Sequence, residues 1–163
     1  MQALRNVAMD RVDRRTGIFN DVLCNPPEVL TSSDNYLGID LGTSSIVLSA
    51  VDPEGEPVYG SMEAAEVIRD GVILDYTGTR EIVKKMLGRY AGRAGKEALR
   101  VATAYPPGTD PRVPENVVLD SGPREVEIID EPSAAALKLN LLHKFMQATL
   151  KAEPTRMPRI ANA

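Results

Sequence analysis

Cysteine and histidine each occur once in the 163 residues. The lone Cys24 cannot close an internal disulfide, which fits a reducing compartment. His143 has no cysteine or histidine companions at ligand spacing, so it makes no zinc-type site and reads as a surface residue. Cationic excess is also missing. Nineteen Lys and Arg against 23 Asp and Glu give a net charge of −4, which leaves no concentrated basic face for nucleic acid. No apolar run approaches the roughly 20 residues of a membrane-spanning helix. The first thirty residues hold Arg5, Asp10, Arg11, Asp13, Arg14 and Arg15 and no continuous apolar core, so they do not read as a secretory signal. These absences point to a cytoplasmic protein with neither nucleic-acid nor membrane partners. What remains, 43% apolar and 26% charged, is ordinary for a soluble domain long enough to bury a core.

Three zones follow along the chain. Residues 1–35 form a mixed leader and linker with two short amphipathic pieces. Leu4, Val7, Ala8 and Val12 make one, and Ile18, Phe19, Val22 and Leu23 the other, each near helical spacing. The leader reads as a helix lying against the main domain or partly disordered, or else as a docking helix for a partner groove. Residues 36–140 carry the organised pattern, and 141–163 form a tail ending in a Pro/Arg-rich stretch.

Within the middle zone, Tyr36–Leu41 and Ile46–Val51 are strand-forming runs joined by Gly42, Thr43 and Ser44, a hairpin signal. Asp52-Pro53-Glu54-Gly55 is a strong turn leading to a third strand near Pro57–Ser61. Asp70-Gly71 marks another turn, followed by apolar Val72, Ile73 and Leu74. Thr77 is a candidate cap for a helix over 78–91, with Ile82, Val83, Met86, Leu87 and Tyr90 as its buried stripe. Arg100–Tyr105 reads as a buried strand halted by Pro106-Pro107-Gly108. A helix over 111–121 starts at Pro111, a strand covers Glu125–Ile129, and Pro132 opens a helix through Leu137, which residues 134–151 could extend. A meander followed by helix–strand–helix–strand–helix predicts an α/β fold with a mixed sheet whose last strands are parallel.

Two places carry chemistry. At the first hairpin, Gly42 permits a tight turn and close approach to a ligand. The backbone N–H groups and three hydroxyls of Thr43, Ser44 and Ser45 are potential donors to phosphate oxygens. Asp40 cannot bind phosphate directly and suits a metal ion or its waters. An ordinary hairpin with a polar turn fits the same residues. At the second place, Asp130 and Glu131 stand where a strand ends and a helix begins, the edge at which open α/β sheets bind ligands. Simple complementation of the helix dipole explains them equally. Other motifs fail: Gly88, Gly92 and Gly95 do not match a dinucleotide fingerprint, and Gly95-Lys96 is followed by Glu97 where a P-loop needs Ser or Thr.

The joint order of Gly38-Ile39-Asp40-Leu41-Gly42-Thr43-Ser44, Ile68-Arg69-Asp70-Gly71-Val72-Ile73-Leu74-Asp75-Tyr76 and Asp130-Glu131-Pro132-Ser133-Ala134-Ala135-Ala136 resembles the first half of the actin/DnaK-type chaperone/sugar-kinase ATPase superfamily. It is especially similar to the chaperones and the MreB-type bacterial actins. The run from Ala102 to Arg112 and the compact spacing further resemble the EutJ family, chaperone-like proteins of ethanolamine utilisation associated with bacterial microcompartments. The resemblance covers about Cys24 to Asn140 and implies an actin-like, ribonuclease H-like lobe that binds ATP and Mg. It implies Asp40 as the anchor of Mg through water, Gly42, Thr43, Ser44 and Ser45 as the first phosphate loop, and Glu131 as the carboxylate beside the attacking water. Asp70 and Asp75 read as turn and strand-end residues. Implied partners are microcompartment or ethanolamine-catabolic enzyme clients.

Past Asn140 the pattern departs from the superfamily, which continues with a second glycine-rich phosphate loop and a lobe carrying the adenosine site. The expectation is a lobe truncated or frameshifted after about Asn140, with weak or absent Mg-ATP binding. Whether the chain is an enzyme stays open. Its alternatives are a non-enzymatic actin-like interaction module and a non-functional truncated product.

Overall fold

Apolar residues alternating along the first two strands turn one face of the hairpin inward. In β1 (Tyr36–Leu41), Leu37 and Ile39 are buried; in β2 (Ser45–Val51), Ile46, Leu48 and Ala50 are. The antiparallel register, Leu37 opposite Ala50, Ile39 opposite Leu48 and Leu41 opposite Ile46, stacks these side chains on one face. The computed structural model describes residues 14–31, 34–69, 72–98 and 100–138.

The meander continues through the predicted turn. Asp52 Oδ1 accepts from the N–H groups of Glu54 at 3.0 Å and Glu56 at 2.8 Å, and the chain enters β3 (Pro57–Ala64). This strand runs three residues beyond the expected Ser61, because β2 offers it pairing partners up to Ser45 opposite Ala64. A two-stranded ribbon follows, β4 (Ile68–Arg69) against β5 (Val72–Ile73). The expected turn at Asp70-Gly71 lies outside the described residues.

Helix α2 (Tyr76–Ala94) buries Val83, Met86, Leu87 and Tyr90 of the expected stripe and leaves Ile82 half-buried, while Thr79, which was not expected, is buried. Its cap is Asp75 rather than Thr77. The Asp75 carboxylate accepts from Gly78 N–H at 2.8 Å and its carbonyl accepts from the Thr79 hydroxyl at 2.6 Å, which draws the helix start two residues earlier. Strand β6 (Arg100–Tyr105) joins β1 in parallel, and β7 (Glu125–Asp130) joins β6 in parallel. Between them lies α3 (Arg112–Leu119), preceded by Pro111 in the capping position, with Asp110 Oδ1 accepting from Arg112 N–H at 3.0 Å. Helix α4 (Glu131–Lys138) begins directly after β7. The longer helix proposed to residue 151 lies outside the described residues.

The main sheet has the order β3-β2-β1-β6-β7, antiparallel on one side of β1 and parallel on the other. Its core face, with Val101 and Thr103 added from β6, packs under α2 and α3 through Met86, Tyr90, Val117 and Val118. Thr103 is buried yet satisfied, its hydroxyl donating to the Ile39 carbonyl at 2.9 Å across the parallel pair.

The leader packs on this sheet. Residues 14–24 are helical and are termed α1, although their place in chain order precedes β1. Gly60 of β3 allows the contact, since a Cβ there would stand 3.1 Å from both the Leu23 Cα and the Phe19 ring. Arg14 and Arg15 reach Glu56 at 2.6 and 3.1 Å. Further on, Arg93 of α2 donates to the carbonyls of Pro26 and Pro27, and Leu30 N–H donates to the Arg93 carbonyl at 3.0 Å. Arg93 also lies over the Tyr59 ring, 5.8 Å from its centre, and Tyr59 meets Tyr90 edge to face at 5.7 Å. Among the described residues no helix is long and apolar enough to cross a membrane.

Candidate phosphate-binding edge of the sheet

The turn between β1 and β2 is closed by Gly42 N–H donating to the Ser45 carbonyl at 3.0 Å. A Cβ at residue 42 would sit 2.8 Å from that oxygen, so close approach of backbone is what demands glycine here. Because the Gly42 N–H is consumed by the hairpin, the loop's donors are left to residues 43 and 44 and to the hydroxyls. The Ser44 carbonyl accepts from Ala65 N–H at 3.1 Å, which ties the turn to the end of β3. Thr43 and Ser44 are exposed, and neither hydroxyl has a hydrogen-bond partner among the described residues. Ser45 belongs to β2 and is half-buried.

Asp40 is exposed near the end of β1, opposite Val47. Its side of the sheet is the one carrying Gly38, away from the face of Leu37 and Ile39. Parallel pairing aligns the carboxyl ends of β1, β6 and β7 at one edge: Ile39 is level with Thr103, and Thr103 with Ile128. Asp130, level with Tyr105, ends β7 at that edge, and Glu131 follows as the first residue of α4. One strand separates β1 from β7, so the backbones of Asp40 and Asp130 are roughly 10 Å apart across the sheet. The intervening strand presents small residues, Ala102 and Ala104.

The two carboxylates at the second place have different surroundings. Asp130 Oδ1 accepts from Ser133 N–H at 2.9 Å. Hydrogen bonds from the Ser133 side chain and then its backbone hold the Asp130 carboxyl below the usual carboxylate range. Asp130 is thus engaged as the cap of α4. Glu131 is exposed and makes no ion pair with a described residue.

Beside the turn lies an open concavity of about 460 Å³ lined by Thr43, Ser44, Glu66, Ile68, Arg69 and Leu74. Asp40, Ser45 and Glu131 do not line it. The sequence-selected residues therefore divide between two adjoining surfaces: the concavity with Thr43 and Ser44, and the carboxyl edge with Asp40 and Glu131. Glu66 and Arg69 were not singled out from the sequence. Arg69 belongs to the Ile68–Tyr76 motif, but only pairing of β4 with β5 and the tie of Ala65 to the turn bring it next to Thr43 and Ser44.

Among the described residues no group of three or more His, Cys, Asp or Glu could enclose a metal ion. A Mg ion would not require such a group, since it keeps several waters and takes one or two carboxylates together with phosphate oxygens. Asp40 is the carboxylate available for this on the first hairpin, and hydroxyl donors stand beside it in sequence at Thr43 and Ser44.

A mixed sheet ordered 3-2-1-6-7, with a polar turn after its first strand and a strand-to-helix carboxylate on the fifth, defines an actin-like lobe. The chain belongs to the MreB/Mbl protein family, which it matches over residues 57–150. It is similar to the ethanolamine utilization protein EutJ of Escherichia coli strain K12, 40% identical over 119 residues, covering 73% of this chain and 43% of that protein. The EutJ protein of Salmonella typhimurium is 36% identical over 114 residues, covering 70% of this chain and 41% of the relative. The crystal structure of ethanolamine utilization protein EutJ from Carboxydothermus hydrogenoformans superposes with a TM-score of 0.72 at 36% identity, over 81% of this chain and 49% of that one. The chain thus spans less than half the length of these relatives.

Proposed function

We propose that this chain forms the phosphate-binding lobe of an ATP-dependent, chaperone-like factor of ethanolamine utilisation. It would act in the cytoplasm, in association with a bacterial microcompartment and with ethanolamine-catabolic enzymes as clients. One observation carries the nucleotide part: the hydroxyls of Thr43 and Ser44, unpartnered among the described residues, sit on the turn after the strand that carries Asp40, and the carboxyl end of that strand lies at the sheet edge that also receives Glu131. The similarity to EutJ supports the ethanolamine part.

The chemistry follows from the residues. Phosphoryl transfer needs positioning and charge neutralisation more than covalent help. Thr43 and Ser44 would donate to phosphate oxygens, and Asp40 would hold Mg through water. Bound Mg supplies neutralisation of the triphosphate charge. Glu131, unengaged by the helix cap, would orient and deprotonate a water. Adenosine contacts are expected from a second lobe, so the chain alone should bind Mg-ATP weakly or not at all.

The test is a chimera joining this chain to the C-terminal half of the Carboxydothermus relative. It should bind and hydrolyse ATP in a Mg-dependent manner and lose Mg dependence on Asp40→Ala. A chimera that melts cooperatively yet neither binds nor hydrolyses ATP would overturn the reading. A second reading, a non-enzymatic actin-like interaction module, is favoured by the separation of Asp40 and Glu131 from the concavity. It would be supported if the chimera captured an ethanolamine-catabolic enzyme equally well with Asp40→Ala.

A further inference from the structure

The concavity beside the Gly42–Ser45 turn contains a cation, Arg69, that forms no ion pair with a described residue. Arg80, Arg89, Arg100 and Arg112 are each matched to a carboxylate: Glu81 at 2.6 Å, Glu63 at 2.5 Å, Glu125 at 2.7 Å and Asp110 at 2.6 Å. Arg69 is exposed on β4, opposite Val72, and pairs with no described residue. Glu66, three residues earlier, lines the same space without bonding to it. The same concavity is lined by Thr43 and Ser44, whose hydroxyls have no hydrogen-bond partner among the described residues. The ribbon of β4 and β5 is held in place from behind, since Leu74 N–H donates to the Val67 carbonyl at 2.8 Å and Ala65 is tied to Ser44.

The geometry points to this concavity as a polyphosphate subsite in which Arg69 supplies the positive charge and Thr43 and Ser44 the neutral donors. A guanidinium presents a planar fork of donors that matches two phosphate oxygens at once, whereas hydroxyls take single oxygens in any orientation. Glu66 decides the form of the ligand. A bare polyphosphate would meet a carboxylate in the same space and be repelled. A polyphosphate complexed with a divalent cation turns positive charge toward Glu66 and oxygens toward Arg69, so both side chains are satisfied. The concavity, about 460 Å³, exceeds what a single phosphate would fill. The inference rests on the nucleotide reading and deepens it, by naming within this lobe a cation that neutralises phosphate charge.

Phosphorus NMR titration of inorganic tripolyphosphate, with and without Mg, tests it on the full chain. The wild type should give a saturable shift, stronger with Mg. Arg69→Ala should weaken it about tenfold or more, equivalent to about 1.4 kcal/mol, and Arg69→Lys should recover part of it. Glu66→Gln should shrink the gap between the Mg complex and free tripolyphosphate. Thermal melts should match the wild type in all three variants, because neither side chain has an ion pair to a described residue. No saturable signal with the wild type, or equal binding by Arg69→Ala, overturns the proposal. Mg-ATP competition in the two-lobed chimera separates it from the nucleotide reading. If ATP fails to displace Arg69-dependent tripolyphosphate, the subsite stands and the nucleotide reading falls. If ATP binding needs Asp40 but is indifferent to Arg69, the nucleotide reading stands and the subsite falls.

Discussion

Asp130 and Ser133 form the cap of α4, with Asp130 Oδ1 accepting from Ser133 N–H at 2.9 Å. This bond assigns different duties to adjacent carboxylates. Asp130 starts the helix, and Glu131 is left at the sheet edge with no ion pair to a described residue. In the two-lobed chimera, Glu131→Gln should therefore keep nucleotide affinity and cut turnover about a hundredfold, with a stability change under about 1 kcal/mol. Asp130→Ala should instead lower the melting temperature. Single-turnover hydrolysis alongside thermal melts checks both, and unchanged turnover in Glu131→Gln would remove it from the site.

The loop before α3 should show its own acid response. Arg112 holds the Asp110 carboxyl at about 2, through hydrogen bonds from its side chain and its backbone N–H. A carboxyl depressed in the folded state contributes stability that is complete above its unfolded pKa and lost as pH falls through the folded value. The loss should fall between about pH 4 and pH 2. Arg112→Ala should move the Asp110 titration, followed by carboxyl carbon NMR, upward toward the usual range. An unmoved titration would show that Arg112 is not the cause.

Glycine substitutions should separate close approach from mere flexibility. Gly42→Ala places a Cβ 2.8 Å from the Ser45 carbonyl oxygen, so the hairpin must open, at a cost of about 1–3 kcal/mol. Gly88, inside α2, has no atom within 4 Å of a Cβ, and Gly88→Ala should raise stability by up to about 1 kcal/mol. Urea unfolding of both variants gives the comparison; equal effects would deny the turn its special role.

The strap formed by the leader depends on Arg93. Arg93→Ala removes donors to the Pro26 and Pro27 carbonyls and the contact over Tyr59. A loss of about 1–3 kcal/mol is expected, together with faster amide exchange across residues 14–24. Lysine should not rescue it, having a point charge in place of a planar fork. Protection in α1 equal to the wild type would show that the helix is held by its apolar contacts and the pairing of Arg14 and Arg15 with Glu56, without Arg93.

Much of the fold was readable along the chain. Strand β1 and strand β6 fall where alternation and the flanking turns placed them, because half-buried strands must alternate and prolines end them. The stripe of α2 was equally legible. Its cap was not: Asp75 and Thr77 are both good caps, and the choice turned on which oxygen reaches Gly78 N–H. The end of β3 was missed for a similar reason, since its length is set by the partner strand β2.

By itself the sequence determined the order of the elements, the inward face of each strand and the residue types available for phosphate chemistry. These depend on neighbours at spacings of two to four residues, where periodicity and turn preferences act. Tertiary structure decided which of those residues meet. It set Arg69 and Glu66 beside Thr43 and Ser44, kept Asp40 and Glu131 off that concavity, and engaged Asp130 in a cap while leaving Glu131 without a partner among the described residues. The first two outcomes come from strand pairing between segments far apart in the chain, which no local pattern encodes; the cap is local, but which of two adjacent carboxylates takes it depends on geometry.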